Sequence, residues 1–124
     1  MLAAMITNAA CHCGAVTLEV PTAPAQVTSC NCSICRRYAA LWAYYTRAHA
    51  RLVKGSDRVS AYVWNDKVIE FYHCRDCGCC THYESVEKND DSRFTINARC
   101  LAPEELSPIP VRHLDGADTW KYVD

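Results

Sequence analysis

The length, composition and charge of the chain exclude several classes of protein. It has 124 residues, half of them hydrophobic and 22% charged, which predicts one globular domain over residues 1–124 rather than a disordered chain. The formal net charge of -1 would become more negative with metal-bound thiolates, so a nucleic-acid partner is not expected. No apolar run approaches the roughly 18 residues that span a membrane, and residues 1–10 do not resemble an export signal, so we expect a cytoplasmic protein without a membrane partner.

Short strands separated by turn residues account for most of the chain. Alternating apolar residues predict a strand over residues 13–20, in which Val16, Leu18 and Val20 share one face and Pro21 ends the element. Further strands are predicted at residues 25–30, 41–46, 51–53, 59–64, 68–74, 79–84 and 93–97. Single helical turns are predicted at residues 33–38 and 103–106. We therefore expect a mainly β fold with metal sites at the junctions of loops.

Cysteine is the most informative residue type of this chain. The ten cysteines occur as Cys11-x-Cys13, Cys30-x-Cys32-x-x-Cys35 and Cys74-x-x-Cys77-Gly78-Cys79-Cys80, with Cys100 alone. Cysteines so close in sequence are poorly placed to form disulfides with each other and well placed to converge on one tetrahedral Zn²⁺. A secreted disulfide scaffold would have a similar cysteine content, but no export signal is visible. The spacing therefore predicts two Zn²⁺ per chain.

The pairs Cys11/Cys13 and Cys74/Cys77 are the predicted ligands of a closed structural site. Gly78 follows the second pair, and glycine accepts the backbone bend that points amide groups at thiolate sulfur. The two pairs lie about 60 residues apart, and closing so long a loop costs several kcal/mol of chain entropy. Zinc binding supplies on the order of 10 kcal/mol or more. Folding is therefore expected to depend on this metal.

The triplet Cys30, Cys32 and Cys35 has the pattern of a catalytic site. Three protein ligands leave one coordination position free, and a metal held by three thiolates prefers another sulfur ligand. Such a zinc can bind an incoming thiol and deprotonate it. Alternatively, Cys79 or Cys80 supplies a fourth ligand, in which case the site is structural or the fourth thiolate must be displaced. Successive strand residues face opposite ways, so only one of these two is expected to reach the metal.

The cysteine motifs resemble those of the glutathione-dependent formaldehyde-activating enzyme family, also called the centromere protein V-like family. The resemblance rests on Cys-x-Cys-Gly-Ala-Val, Cys-x-Cys-x-x-Cys-Arg and Phe-x-x-Cys-x-x-Cys-Gly, and it extends over roughly residues 10–101. It implies a β-tent fold of stacked antiparallel sheets with two zinc sites. The implied ligands are Cys11, Cys13, Cys74 and Cys77 for the structural zinc and Cys30, Cys32 and Cys35 for the catalytic zinc. Cys79 departs from the family pattern, since many members have a residue there that is not a ligand.

The resemblance implies a carbon–sulfur lyase that condenses formaldehyde with glutathione to S-hydroxymethylglutathione. The glutathione sulfur, held at the triplet as a thiolate, attacks the formaldehyde carbon, and a nearby donor stabilises the developing alkoxide. His82 is a candidate for this donor or acid, although a lone strand histidine is more often a packed residue. Arg36 directly follows the triplet and is a candidate partner of a glutathione carboxylate, or else offsets the thiolate charge.

Two other functions compete with a lyase. A non-enzymatic, zinc-stabilised module that binds a small thiol or a protein is favoured if Cys79 closes the second site. A thiol redox or zinc-store protein would use the adjacent Cys79 and Cys80 and the unpaired Cys100. The number of protein ligands at the triplet therefore discriminates between an enzyme and a binding module. The sequence leaves the oligomeric state open.

Overall fold

Ten short strands make up most of the structure. The computed structural model describes residues 7–63 and 68–124, and its strands within these ranges form two sheets. The strands are β1 Thr7–Ala10, β2 Thr17–Val20, β3 Val27–Cys30, β4 Trp42–Thr46, β5 Arg51–Lys54, β6 Val59–Val63, β7 Ile69–Cys74, β8 Cys80–Ser85, β9 Arg93–Asn97 and β10 Val111–Leu114. Helix is limited to α1 Cys35–Tyr38, α2 Pro103–Leu106 and one 3-10 turn at Ala98–Cys100. The prediction of a mainly β fold is confirmed.

The strands are arranged as one small and one large sheet. The small sheet has the order β1-β2-β5, and the large sheet has the order β10-β3-β4-β9-β8-β7-β6. Neighbouring strands pair antiparallel, with the exception of β10, which runs parallel to β3. The sheets are therefore antiparallel, as predicted, with one parallel pair at this edge. A parallel pair needs a long crossover, and here the chain between β3 and β10 passes through the rest of the large sheet and α2 before it returns.

The predicted elements match the observed ones apart from their ends, while two strands and the 3-10 turn at Ala98–Cys100 were not predicted. Only Thr17–Val20 of the strand predicted at residues 13–20 is extended, because Gly14 adopts a φ of +80° in the turn before it. Trp64, at the end of the strand predicted at residues 59–64, lies outside the described residues. The sequence did not predict β1 or β10. Their sequences, TNAA and VRHL, are four residues long and show no alternation of large apolar residues.

Apolar side chains join the two sheets. Leu18 and Val20 of β2 pack in one cluster with Phe94 and Ile96 of β9, so the small sheet packs against the large one. Val16, Leu18 and Val20, predicted to share a buried face, are each no more than 1% exposed. A second group, here called the aromatic cluster, consists of Ala40, Trp42, Phe71, Cys80 and Tyr83. None of the helices in the described parts of the chain has the length and apolar character needed to cross a membrane.

Candidate metal centres and the adjoining cavity

The first cysteine cluster bridges the two sheets. Cys11 and Cys13 follow β1 of the small sheet, Cys74 ends β7 of the large sheet, and Cys77 lies in the turn before β8. Their four sulfur atoms lie within 4.8 Å of one another. The Sγ of Cys13 is 3.7 Å from that of Cys11 and 3.6 Å from that of Cys74. Because the ligands of a tetrahedral thiolate zinc are about 3.8 Å apart, the cluster fits a four-cysteine metal site.

Two glycines form the turns that bring these sulfurs together. Gly14 follows the first pair with a φ of +80°, and Gly78 follows the second with a φ of +77°. Their backbone amides donate to the carbonyl oxygens of Cys11 and Cys74 at 3.1 and 2.9 Å. A positive φ is accessible to glycine without a steric cost. The Cys-Gly pattern that predicted a metal-binding turn at residue 78 therefore occurs at both pairs.

Backbone amides favour the thiolate form in this cluster. Hydrogen bonds from the backbone of Cys13 and Cys79 lower the pKa of the Cys77 thiol to about 6. The amide of Val16 donates to Cys11 Sγ at 3.3 Å. Donors of this kind stabilise a metal-bound thiolate and fix the orientation of the ligand. The pKa of Cys13 is nevertheless raised to about 12, because a backbone hydrogen bond from Ala15, which lowers it, is outweighed by desolvation and the neighbouring thiols, so four thiolates here require a bound cation.

The second cluster lies at the end of β3. Cys30 is the last residue of this strand, Cys32 lies in the following loop, and Cys35 begins α1. Their three sulfurs lie within 4.8 Å of one another. The amide of Cys35 donates to Cys32 Sγ at 3.4 Å, and the indole N–H of Trp42 donates to Cys35 Sγ at 3.3 Å. Burial raises the pKa of the Cys30 and Cys35 thiols, so three thiolates here require a bound cation, and the all-sulfur donor set suits a soft ion such as zinc.

The structure places Cys79 away from the triplet. Its Sγ lies 3.7 Å from Cys100 Sγ, and its side chain packs against Cys11 and Cys74 of the first cluster. The next residue, Cys80, faces the other way and belongs to the aromatic cluster. The hypothesis that Cys79 closes the second site does not match this placement, because β8 leaves the Gly78 turn with Cys79 directed to the first cluster. Within the described residues, the triplet has three thiols in reach of one ion.

A cavity of about 510 Å³ opens beside the triplet. Its lining residues are Cys30, Cys32 and Cys35, the aromatic residues Trp42, Tyr44, Phe71, Tyr83 and Trp120, the aliphatic residues Ile34, Val68, Ile69 and Leu114, and Arg93. A mostly apolar cavity with a few convergent polar groups is typical of small-molecule sites. The triplet sulfurs therefore face a space in which a small ligand fits.

Two residues predicted to act at this site lie outside the cavity lining. His82 is 1% exposed and stacks between Tyr72 and Phe94, with ring centroids 4.6 and 5.0 Å away. Burial lowers the pKa of His82 to about 3, so the ring is neutral at physiological pH. The adjacent strand residue Tyr83 faces the cavity instead, because successive side chains of a strand alternate. Arg36 is exposed on α1 and does not line the cavity.

The segment after β10 covers one side of the triplet. Leu114 of β10 is paired with Cys30 of β3, which brings the following residues over the cysteine loop. Gly116 is buried there, and a Cβ atom on it would overlap Cys30 Sγ and lie 3.3 Å from Cys32 Cβ. Trp120 lines the cavity from the same segment. No predicted element includes residues 111–124, so this wall of the site was not predicted.

The close approach of Gly116 to Cys30 yields a testable prediction. Gly116→Ala is expected to displace either Cys30 or the covering segment, because the added methyl group has no space beside the sulfur. The variant should lose zinc from the triplet and keep it in the first cluster, as measured by native mass spectrometry. Ala117→Ser, which adds an atom at the exposed neighbouring position, should keep both ions. If Gly116→Ala binds zinc at both sites with wild-type affinity, the close contact between residue 116 and Cys30 does not constrain the triplet.

Comparison with known proteins identifies the family of this chain. The sequence profile described as glutathione-dependent formaldehyde-activating enzyme matches residues 6–113, a range that contains both cysteine clusters. The crystal structure of a Rhodobacter sphaeroides protein is similar, with 28% sequence identity and a TM-score of 0.68. The match covers 84% of this chain and 98% of that chain. The chain thus belongs to the glutathione-dependent formaldehyde-activating enzyme family.

Proposed function

We propose that this protein is a cytoplasmic, zinc-dependent carbon–sulfur lyase that acts on glutathione or a related thiol adduct. The reaction is the addition of a thiol to formaldehyde, giving an S-hydroxymethylglutathione-type product, or its reverse. The observation that carries the proposal is the three-sulfur cluster at the wall of a cavity of about 510 Å³. A structural zinc site has four protein ligands, whereas a catalytic one keeps a position for substrate. Family membership supports the reaction class, although a fold alone does not define a substrate.

Two Zn²⁺ per chain are the proposed metal content. Cys11, Cys13, Cys74 and Cys77 would hold the first ion, and Cys30, Cys32 and Cys35 would hold the second. In the triplet, zinc would supply a positive centre that lowers the pKa of an incoming thiol. The Trp42 indole N–H, 3.3 Å from Cys35 Sγ, fixes the direction of that ligand from the side of the aromatic cluster.

Tyr83 is the proposed hydrogen-bond donor, in place of His82. Its side chain is 5% exposed and lines the cavity, where Trp42 and Phe71 pack against it with ring centroids 4.9 and 5.3 Å away. Burial raises the pKa of Tyr83, so the phenol keeps its proton at neutral pH. A protonated phenol can donate to an oxygen on which negative charge develops. Tyr83 is therefore suited to stabilise the oxygen of an aldehyde under attack by sulfur.

The proposed reaction is balanced without an oxidant or a reductant. The thiol loses its proton to water, its sulfur forms a bond to the aldehyde carbon, and the π electrons of the carbonyl group move to oxygen. This oxygen accepts a proton and becomes the hydroxyl group of the product. The reverse reaction breaks the same carbon–sulfur bond. The cavity walls hold the two reactants together, which lowers the entropic cost of their encounter.

Exchange NMR with ¹³C-formaldehyde and glutathione tests the proposed reaction and the role of Tyr83. The zinc-loaded protein is expected to raise the rate of adduct formation and breakdown above the uncatalysed rate. Tyr83→Phe should lower the catalysed rate by about 100-fold, the usual cost of losing one oxyanion donor, while zinc content stays unchanged. The matched control His82→Phe keeps an aromatic ring between Tyr72 and Phe94 and should retain the rate.

Each outcome of this experiment has a distinct meaning. A wild-type rate equal to the uncatalysed rate would refute the lyase and leave a thiol-binding module. A wild-type rate in Tyr83→Phe would refute the donor role alone. A loss of rate in a folded His82→Phe variant would reinstate the histidine that the sequence suggested.

A further inference from the structure

We propose that Arg93 forms an anion-binding subsite in the triplet cavity, so that the site selects thiols that carry a carboxylate group. This inference deepens the proposed function and depends on it in one respect, namely that a thiol sulfur reaches the triplet. The ligand would then be bound at two points: its sulfur at the cysteine triplet and its carboxylate at the guanidinium group of Arg93. The ligand class is a thiol with an anionic substituent.

Arg93 lies where two cavities meet. It lines the cavity of about 510 Å³ beside the triplet and a neighbouring cavity of about 570 Å³. Tyr44, Val68 and Ile69 also line both cavities. A ligand with its sulfur at the triplet that extends toward the second cavity therefore passes Arg93. Among the described residues that line the first cavity, Arg93 alone has a charged side chain.

The guanidinium group of Arg93 lies over the ring of Tyr44. Its Cζ atom lies 5.9 Å from the centroid of the Tyr44 ring, which is within the range of a cation–π contact. Burial raises the pKa of both Tyr44 and Tyr83, and the positive charge of Arg93 opposes this rise in each case. Arg93 is therefore close enough to act on both phenols. Together, the three side chains form the polar end of an otherwise apolar cavity.

Arg93 has no carboxylate partner among the described residues, and its hydrogen bond with Tyr83 leaves further N–H donors for a ligand. Ion pairs in the described parts of the chain engage Arg47, Arg51, Arg58 and Arg112, and none of them includes Arg93. Asp91 also lines the second cavity but forms no ion pair with Arg93 within the same described residues. A guanidinium group has five N–H donors in a fork geometry that binds a carboxylate through two hydrogen bonds.

The negative charge of a zinc ion held by three thiolates would repel an anionic ligand, and a nearby cation such as Arg93 is needed to offset this repulsion. Three thiolates around one Zn²⁺ have a net charge of -1, and a substrate thiolate adds another negative charge. A carboxylate on the same ligand would be repelled in a cavity with mostly apolar walls, where charges interact more strongly than in water. Arg93 offsets this repulsion. Arg36, the candidate suggested by the sequence, does not line the cavity, so it does not meet this need.

Three small thiols of similar size test the inference on the zinc-loaded protein. These probes are 3-mercaptopropionate, 2-mercaptoethanol and cysteamine, which carry a negative, a neutral and a positive substituent. Their dissociation constants are measured by titration calorimetry for wild type, Arg93→Gln, Arg93→Lys and the control Arg36→Gln. The ratio of variant to wild-type affinity is compared for each thiol separately, because this ratio cancels intrinsic differences between the three thiol groups.

Arg93→Gln is expected to weaken binding of 3-mercaptopropionate by at least about tenfold, a typical cost of losing a charged hydrogen bond. Binding of 2-mercaptoethanol should change by less than about twofold, since it has no group for Arg93 to contact. Arg93→Lys should retain part of the preference for 3-mercaptopropionate over 2-mercaptoethanol, and Arg36→Gln should retain all of this preference. Both Arg93 variants should keep their zinc content and melting temperature, because Arg93 makes no ion pair in the described structure.

The inference and the proposed function fail in different ways. If Arg93→Gln lowers the affinity for all three thiols equally, or for none of them, the anion subsite is overturned while thiol binding at the triplet still stands. A loss of the preference in Arg36→Gln alone would assign the anion site to Arg36. If no thiol binds the wild-type protein, the proposed function fails together with the inference.

Discussion

Cys74→Ser is expected to unfold the protein or to lower its melting temperature by at least about 10 °C. Cys74 is 1% exposed at the end of β7, and its sulfur lies 3.6 Å from that of Cys13 in the loop after β1. Its loss opens the proposed metal site that links the small and large sheets. A serine hydroxyl does not replace a thiolate ligand, and the variant also loses a buried packing atom. Circular dichroism melting and zinc content by mass spectrometry measure the effect.

Cys79→Ser is the matched control for this prediction. Cys79 is close in sequence to two ligands, but its Sγ lies 3.7 Å from Cys100 Sγ and outside both metal-sized clusters of the described residues. The variant should keep both Zn²⁺ and melt within a few degrees of wild type. Normal melting and metal content in Cys74→Ser, or loss of one ion in Cys79→Ser, would refute the ligand assignment of the first site.

Cys32→Ser is expected to abolish the lyase while leaving the protein folded. The triplet lies in a loop between β3 and α1 and does not link the two sheets, so its metal contributes less to folding than the first one. The variant should contain one Zn²⁺ and lower the rate of thiol addition to formaldehyde by more than about 100-fold, since even weaker perturbations of metal sites cost 10- to 100-fold. Native mass spectrometry and exchange NMR give the two readouts.

Cys100→Ser serves as the control for Cys32→Ser. Its side chain lies beside Cys79 and not in the triplet. This variant should keep both ions and the wild-type rate. Full activity of Cys32→Ser would place the reaction elsewhere in the molecule, whereas global unfolding would show that the triplet metal is structural.

Both cysteine clusters could be predicted from the sequence because most of their members are close together along the chain. Cys11 and Cys13, or Cys74 and Cys77, are so close along the chain that one turn positions both sulfurs. A shared cation then favours the approach of the two pairs, because it offsets the repulsion between their thiolates. The alternation of Val16, Leu18 and Val20 was informative for the same reason, since it depends only on strand geometry.

The cavity could not be predicted because it depends on register between distant strands. The pairing of β7 with β8 is irregular between Tyr72 and His73, and a shift of one residue exchanges the two faces of a strand. Sequence alone therefore could not decide whether His82 or Tyr83 faces the triplet. Arg93 and Trp120 reach the cavity through pairings of β9 and β10 with strands far away in the sequence. Contacts between residues so far apart along the chain produce no periodic pattern of residue types in the sequence.

Zinc-edge X-ray absorption of the zinc-loaded protein, with and without glutathione, tests the central claim most directly. Four sulfurs at the first site and three at the triplet give a mean of about 3.5 sulfurs per zinc, with a nitrogen or oxygen ligand completing the second site. Saturating glutathione should raise this mean to about 4 as its sulfur enters the triplet. Cys32→Ser should show no such rise. A mean of about 4 before glutathione is added, unchanged afterwards, would contradict an open triplet and with it the proposed enzyme.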